Sequence, residues 1–395
     1  MADHNRRSNS SLFLTVGTAS MGRFLLNTAR RFAYPFAPAL SRGLGVPLTA
    51  VTAIIAANQF TGMLGIFFAP LGDRLGYRIM LLGGMAALIL GMLTGAFWPV
   101  YLSVLVGLFL AGAGKSLFDP AILAWAGEKV PYNRRSMVVG IMEMSWATSS
   151  LIGVPVCGLL IAHFGWKSPF WVLGAMGIIV FALLFRLLPA KHHVKKPHAD
   201  LHIFRTLRML MAKKVTIGTM GFAFCISAAN DVLFVVYGAW LEKDFHLNLA
   251  ALGLATSIIG AAELAGEVLT ATLSDRIGPK KAVIIGLFLS TTCYIMLPLS
   301  GHSLWLALAA LFFVFITVEF TIVSSLSFFT EVFPHARASM MSVYFAAGSI
   351  GRVGGALIGG FIWLYGGIWA VGLVAAGISA LALFFVIWGL EDFSK

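Results

Sequence analysis

Apolar runs of about 20 residues recur along nearly the whole chain, each long enough to cross a hydrocarbon core of roughly 30 Å as a helix. No other feature constrains the fold as strongly. A backbone in lipid must satisfy its own N–H and C=O groups, so a spanning segment is either a helix or a strand of a closed barrel. These runs are continuously apolar instead of alternating, which excludes the barrel. Dividing the chain at them gives twelve spans, at 11–40, 47–70, 78–98, 100–127, 136–162, 168–189, 215–241, 249–273, 281–299, 304–330, 337–363 and 368–390. The first run carries Arg23, Arg30 and Arg31 and no cleavage-type end, so it reads as a retained helix and not as a secretory signal.

A net charge of +12 raises the question of nucleic acid. The distribution of the charge answers it. With the N-terminus inside, the cytoplasmic segments and the span ends adjoining them hold 20 of the 28 Lys and Arg residues. The outer loops hold Arg42, Lys167 and Lys243, and the spans hold Arg23, Arg30, Arg31, Lys115 and Arg352. That asymmetry is the positive-inside pattern, so both termini are expected in the cytoplasm and the basicity is topology. No nucleic-acid partner is expected. The three cysteines, Cys157, Cys225 and Cys293, lie in apolar spans at no metal-ligand spacing and read as small buried hydrophobes. No metal and no cofactor is expected.

One charged turn is written twice. The chain reads GDRLGYRIMLLGG from Gly72 to Gly84 and SDRIGPKKAVIIG from Ser274 to Gly286. A second pair, PYNRRSM from Pro131 and PHARASM from Pro334, recurs at an offset of 203 residues, against 202 for the first pair. Two matches at one offset, between equivalent spans, divide the chain into parallel halves of six helices, 1–190 and 215–395. Between them, 191–214 is a Pro- and Lys-rich linker. Its Leu201, Phe204, Leu207 and Met211 share one helical stripe, with His202, Arg205, Arg208 and Lys213 off it, as in a short helix on the inner membrane surface.

Twelve helices in two parallel halves, with an Asp-Arg-x-Gly turn between helices 2 and 3 of each, resemble the major facilitator superfamily over essentially the whole chain. The family's loop motif is Gly, three residues, then Asp-Arg-x-Gly-Arg and a further basic residue. The first copy keeps Asp73, Arg74, Gly76 and Arg78, with Ala69 and Tyr77 where Gly and the first Arg are usual. The second keeps Asp275, Arg276, Gly278 and Lys280, with Ala271 and Pro279 at those places. The resemblance implies that these residues latch the halves together on the cytoplasmic side when the transporter opens outward. Two halves rocking over one site need a latch each. The Gly permits a tight reversal that a bulkier residue resists. In span 5, Gly153-Val-Pro155-Val-Cys-Gly158 is similar to the Gly-Pro-x-x-Gly-Gly motif of the drug:proton antiporter branch. The Arg which that branch carries in helix 4 is absent, and Lys115 is the basic residue there.

An ionisable group at mid-bilayer costs at least about 2.5–3.5 kcal/mol on insertion scales, so each one in a span needs a reason. In span 1, Arg23, Asn27, Arg30 and Tyr34 form one polar stripe at i, i+4, i+7 and i+11, which should face the central cavity. Arg30 either grips an acidic group on the substrate or pairs with a protein carboxylate. Arg31 points elsewhere and calls for a structural partner, Asp119 or Glu143. Lys115 and Asp119, at i and i+4 in span 4, either neutralise each other or line the cavity. The second half places Asp231, Glu263, Glu267 and Glu319 in its spans against one basic residue, Arg352. Carboxylates held out of water without a cation take a proton near neutral pH, so at least one of the four is expected to carry the coupling proton, Glu263 or Glu319 first.

These features describe an all-α membrane protein and a secondary active transporter. The expectation is a proton-coupled monomer in a bacterial inner membrane, exporting a small amphipathic or charged organic molecule. Uptake of an organic anion is the alternative, since Arg30 and Lys115 give the first half a cationic wall. A transporter-like sensor or scaffold is a third reading, one that does not require both latch turns and buried acids. No Walker motif, nucleophile–base set or metal cluster supports an ATP-driven pump or an enzyme.

Overall fold

The computed structural model describes residues 2–65, 68, 75–130, 132–188, 213–332, 337–389 and 391, and among them there are helices and no strands. Among the described residues, nine helices are individually long and apolar enough to cross a membrane. One of these, Met340–Gly389, is two passes, because Gly367 sits at φ 56° and ψ −153° and turns the chain. The first pass carries three arginines, and the second begins at a 115° bend between Ala37–Leu44 and Leu48–Leu64. With these two, the described residues make twelve passes in two six-helix halves. The linker stripe at Leu201, Phe204, Leu207 and Met211 lies outside the described residues.

Spans 1 and 7 are each broken at mid-depth, at equivalent places. Span 1 runs Ala2–Arg31 and resumes at Ala37–Leu44, while span 7 runs Lys214–Phe234 and resumes at Tyr237–Phe245. In span 1 the cause is Pro35, which has no N–H for a helix ladder and holds the preceding residue out of the helical region. Each break leaves carbonyls at a helix C-terminus in the middle of the membrane. Arg30 and Arg31 occupy the last turn before the break, where a cation meets the negative end of the helix dipole.

The halves meet most closely from mid-depth to the face opposite the termini, and the span 5 motif forms part of that seam. Pro155 cannot bond the carbonyl of Leu151 one turn earlier, and span 5 widens into a π turn over Ser149–Gly153 just there. The freed Leu151 carbonyl accepts a hydrogen bond from Ser257 Oγ of span 8, at 3.1 Å. A Cβ on Gly158 would lie 2.8 Å from the Leu249 carbonyl, and one on Gly260 would lie 2.6 Å from the Leu151 nitrogen. So the seam requires residues without side chains. On the same face Arg42 of the first half pairs with Glu242 of the second at 2.7 Å.

The doubled turn is partly in view. Gly76 has φ 84° and Gly278 φ 86°, a left-handed backbone in both copies, as a tight reversal demands. Arg78 donates to the Phe185 carbonyl at 3.0 Å and lies over its ring, so it binds span 6 of its own half. Asp73 and Arg74 lie outside the described residues, as does the side chain of Asp275, while Arg276 is exposed.

Candidate functional site

Two charge clusters sit inside the membrane, and the arginines of span 1 divide between them. The first cluster lies wholly within the first half. Arg23 bonds Asp119 of span 4 through Nε at 3.1 Å and Glu143 of span 5 through both terminal nitrogens, at 2.7 and 3.0 Å. Lys115 closes the set on Asp119, four residues on, with Nζ on Oδ2. Two cations meet two carboxylates, and the cluster is neutral. Lys115 and Asp119 are paired with each other, and Arg23 joins them on Asp119.

The second cluster spans the interface between the halves. Arg31 does not reach Asp119 or Glu143, which Arg23 already holds. Its partner is Glu263 of span 8, bonded through both terminal nitrogens, with each side chain about 5% exposed. The expectation failed because it searched for a partner within the first half. The guanidinium also lies 4.0 Å from the Trp146 ring centroid and donates to the Trp146 carbonyl at 3.1 Å. Lys115 Nζ approaches the same ring at 5.4 Å, so Trp146 stands between the two clusters.

A hydrogen-bond chain continues across the interface. Arg30 donates to the Gln59 side-chain oxygen, through Nε at 3.1 Å and through Nη2. Gln59 Nε2 donates to the Tyr34 hydroxyl, and that hydroxyl donates to Asp231 Oδ1 of span 7 at 2.8 Å. Arg352 of span 11 faces Asp231 Oδ2 at 3.7 Å. The polar stripe of span 1 is thus mostly engaged: Asn27 is buried and donates to Ser145 at 3.2 Å, and Tyr34 is buried between the halves. Only Arg30 of the stripe keeps partial exposure with no carboxylate of its own.

The four acids of the second half therefore do not compete for Arg352 alone, because Arg31 comes from the other half. Glu263 has Arg31, and Asp231 has Tyr34 and Arg352. Glu267 and Glu319 have no ion pair among the described residues, and both are half-buried. Glu319 packs on span 8 at Gly266, where a Cβ would lie 2.8 Å from its own Cβ, so it stands beside Glu267. Sequence reasoning overlooked Gln59 and Trp146. Gln59 carries a signal, since it and Asn58 are adjacent amides in an apolar span; Trp146 carries none.

The Major Facilitator Superfamily model matches residues 13–229 and again 219–393, once over each half. The chain belongs to the major facilitator superfamily. A facilitator of this family is a multi-pass membrane transporter and not an enzyme. This facilitator is 27% identical over 343 residues to YceJ, an uncharacterized MFS-type transporter of Bacillus subtilis (strain 168), covering 86% of this chain and 87% of that one. It is 27% identical over 300 residues to the multidrug resistance protein MdtG of Salmonella typhimurium, covering 71% of each. In fold it resembles a bacterial homologue of the human lysosomal transporter Spinster, solved inward-facing and unoccupied, with a TM-score of 0.79 at 15% identity over 96% of this chain and 97% of that one.

Proposed function

We propose that this facilitator is a proton-coupled secondary transporter of the inner membrane that exports a small amphipathic or charged organic molecule. It works as a monomer with both termini in the cytoplasm, its halves being 1–190 and 215–395 joined by 191–214. The observation that carries the reading is the Arg31–Glu263 pair. It ties one half to the other at mid-membrane through a carboxylate, so proton uptake at Glu263 and separation of the halves are linked. Glu267, one turn along, and Glu319 beside it supply further sites for the proton. Export is supported by the Gly153–Gly158 motif at the seam and by the similarity to MdtG. With the termini inside, the close seam on the far face describes an inward-facing state, and the Asp73 and Asp275 turns form the latch for the opposite state.

The test is substrate flux in proteoliposomes under an imposed pH gradient. Glu263→Gln should exchange substrate without responding to the gradient, and Asp73→Asn should fold normally but transport slowly. Wild-type flux indifferent to pH overturns the proton coupling, and normal transport by Asp73→Asn overturns the latch. A second reading, uptake of an organic anion, is favoured by the uncompensated Arg30, and the direction of flux in oriented vesicles separates it from export.

A further inference from the structure

We propose that Arg30 and Arg352 form a two-sided clamp for one anionic group, a carboxylate or a phosphoryl monoanion, on the transported molecule. This rests on the transporter reading and names a substrate class within it. A guanidinium has five donors, and one inside a membrane is normally surrounded by acceptors. Arg23 and Arg31 meet that rule, each bonded through two nitrogens to a carboxylate. Arg30 and Arg352 do not. Arg30 spends two donors on one neutral oxygen, that of Gln59. Arg352, with its side chain 25% exposed, has Asp231 at 3.7 Å, beyond hydrogen-bond reach, and no closer acceptor among the described residues.

The arginines at this place are incompletely paired. Arg31 and Glu263 cancel, and Asp231 is the one carboxylate within ion-pair reach of Arg352, so no ion pair with a carboxylate is found for Arg30 among the described residues. The unused donors lie where the halves meet, with one arginine from each half. Gly62 of span 2 packs closely beside both: a Cβ there would lie 2.7 Å from Ser349 Oγ, one turn from Arg352, and 3.6 Å from Arg30 Nη2. Asp231 Oδ2 is buried and accepts no hydrogen bond, while Tyr34 pins its other oxygen. Asp231 therefore acts as a weakly held internal competitor for Arg352, which an arriving anion displaces. A planar fork grips two oxygens of a carboxylate or phosphoryl group, and two forks from opposite halves make binding depend on how the halves are placed.

Matched probes on the purified full chain in neutral maltoside micelles test this: 1-naphthoate, 1-naphthamide and a naphthylmethyl trimethylammonium ion. In wild type, naphthoate should bind at least about tenfold tighter than the amide, as charge-assisted bonds to guanidinium require. Arg30→Gln and Arg352→Gln should each bring the two probes within about twofold, and the Lys variants should fall between, since ammonium offers a point charge without the fork. Asp231→Asn, which keeps the Tyr34 contact and removes the competitor, should bind naphthoate several-fold tighter. If a Gln variant fails to melt cooperatively, the Lys variants and Asp231→Asn decide alone. No preference for naphthoate in wild type, or unchanged naphthoate affinity across the variants, overturns the clamp. So does displacement of naphthoate by phosphatidylglycerol but not by 1-naphthyl phosphate, which assigns the arginines to a lipid headgroup. Counterflow in proteoliposomes separates this failure from that of the transporter reading: exchange of the ammonium probe alone sinks the clamp, and naphthoate binding without exchange of any probe sinks the transporter.

Discussion

The two clusters use the same residue types and reach opposite conditions. Around Arg23, two cations and two carboxylates from spans 1, 4 and 5 saturate one another inside a single half. Around Arg30, Arg31 and Arg352, three cations face Asp231 and Glu263 across the boundary between halves, with donors left over. A saturated cluster has one preferred arrangement and makes its half a rigid body. An unsaturated one at a boundary has several, and a proton or an anion can choose among them. Charge in a membrane marks function where it is incompletely paired between moving parts.

The comparison breaks most decisively at Glu263. Removing one partner of a buried pair strands the other, at about 3–5 kcal/mol. Glu263→Gln should therefore lower the melting temperature markedly, and adding Arg31→Gln should restore much of it without restoring pH-driven transport. If the double variant transports normally, the interface pair is only structural. Arg23→Gln comes next. Glu143 is half exposed and Asp119 keeps Lys115, so the loss should be smaller, about 1–2 kcal/mol, with substrate affinity in the surviving protein unchanged. A change in affinity there would move the first cluster into the substrate site.

Glu267→Gln and Glu319→Gln should leave stability within about 0.5 kcal/mol, since neither carboxylate has an ion pair to lose among the described residues, while one of them weakens the flux response to a pH gradient. Two variants with wild-type pH response would place all coupling on Asp231 and Glu263. The smallest effect belongs outside the membrane. Lys214 hydrogen-bonds Glu391 at 2.8 Å and holds its carboxyl below the ordinary range. A depressed carboxyl contributes stability above its unfolded value and loses it as pH falls through the folded one. That contribution is present at neutral pH, but it is small for a pair this open to solvent, so Glu391→Gln should barely shift the melting curve there; a large shift would give this contact a role in holding span 7.

Much of this was legible in the residues. Span positions, the halves, both positive-φ glycines and the contact of Lys115 with Asp119 follow from periodicity, repetition and i, i+4 spacing. Those are local signals. Arg31 and Glu263 are 232 positions apart, on different halves, and no spacing along one helix reports on such a pair. The break in span 1 is written in Pro35, but its counterpart at Val235–Val236 carries no Pro, and only the repeat offset points to it. The excess of acid in the second half was readable as a number. Its meaning was not, because the cation that resolves part of it arrives from the first half.

The Leu151 carbonyl adds a demand for water. Ser257 is its partner only while spans 5 and 8 touch, and Pro155 has no N–H with which the helix could take it back. When the halves part on that face the carbonyl loses this bond, and a carbonyl left unpaired in hydrocarbon costs several kcal/mol. A water molecule has to arrive as Ser257 leaves, so the rocking motion carries a hydration step at one kink. Transport should then slow under osmotic stress from excluded solutes, and Ser257→Ala, which lets water hold that carbonyl from the start, should flatten the dependence. Equal osmotic sensitivity in both proteins would show that the kink stays dry throughout the cycle.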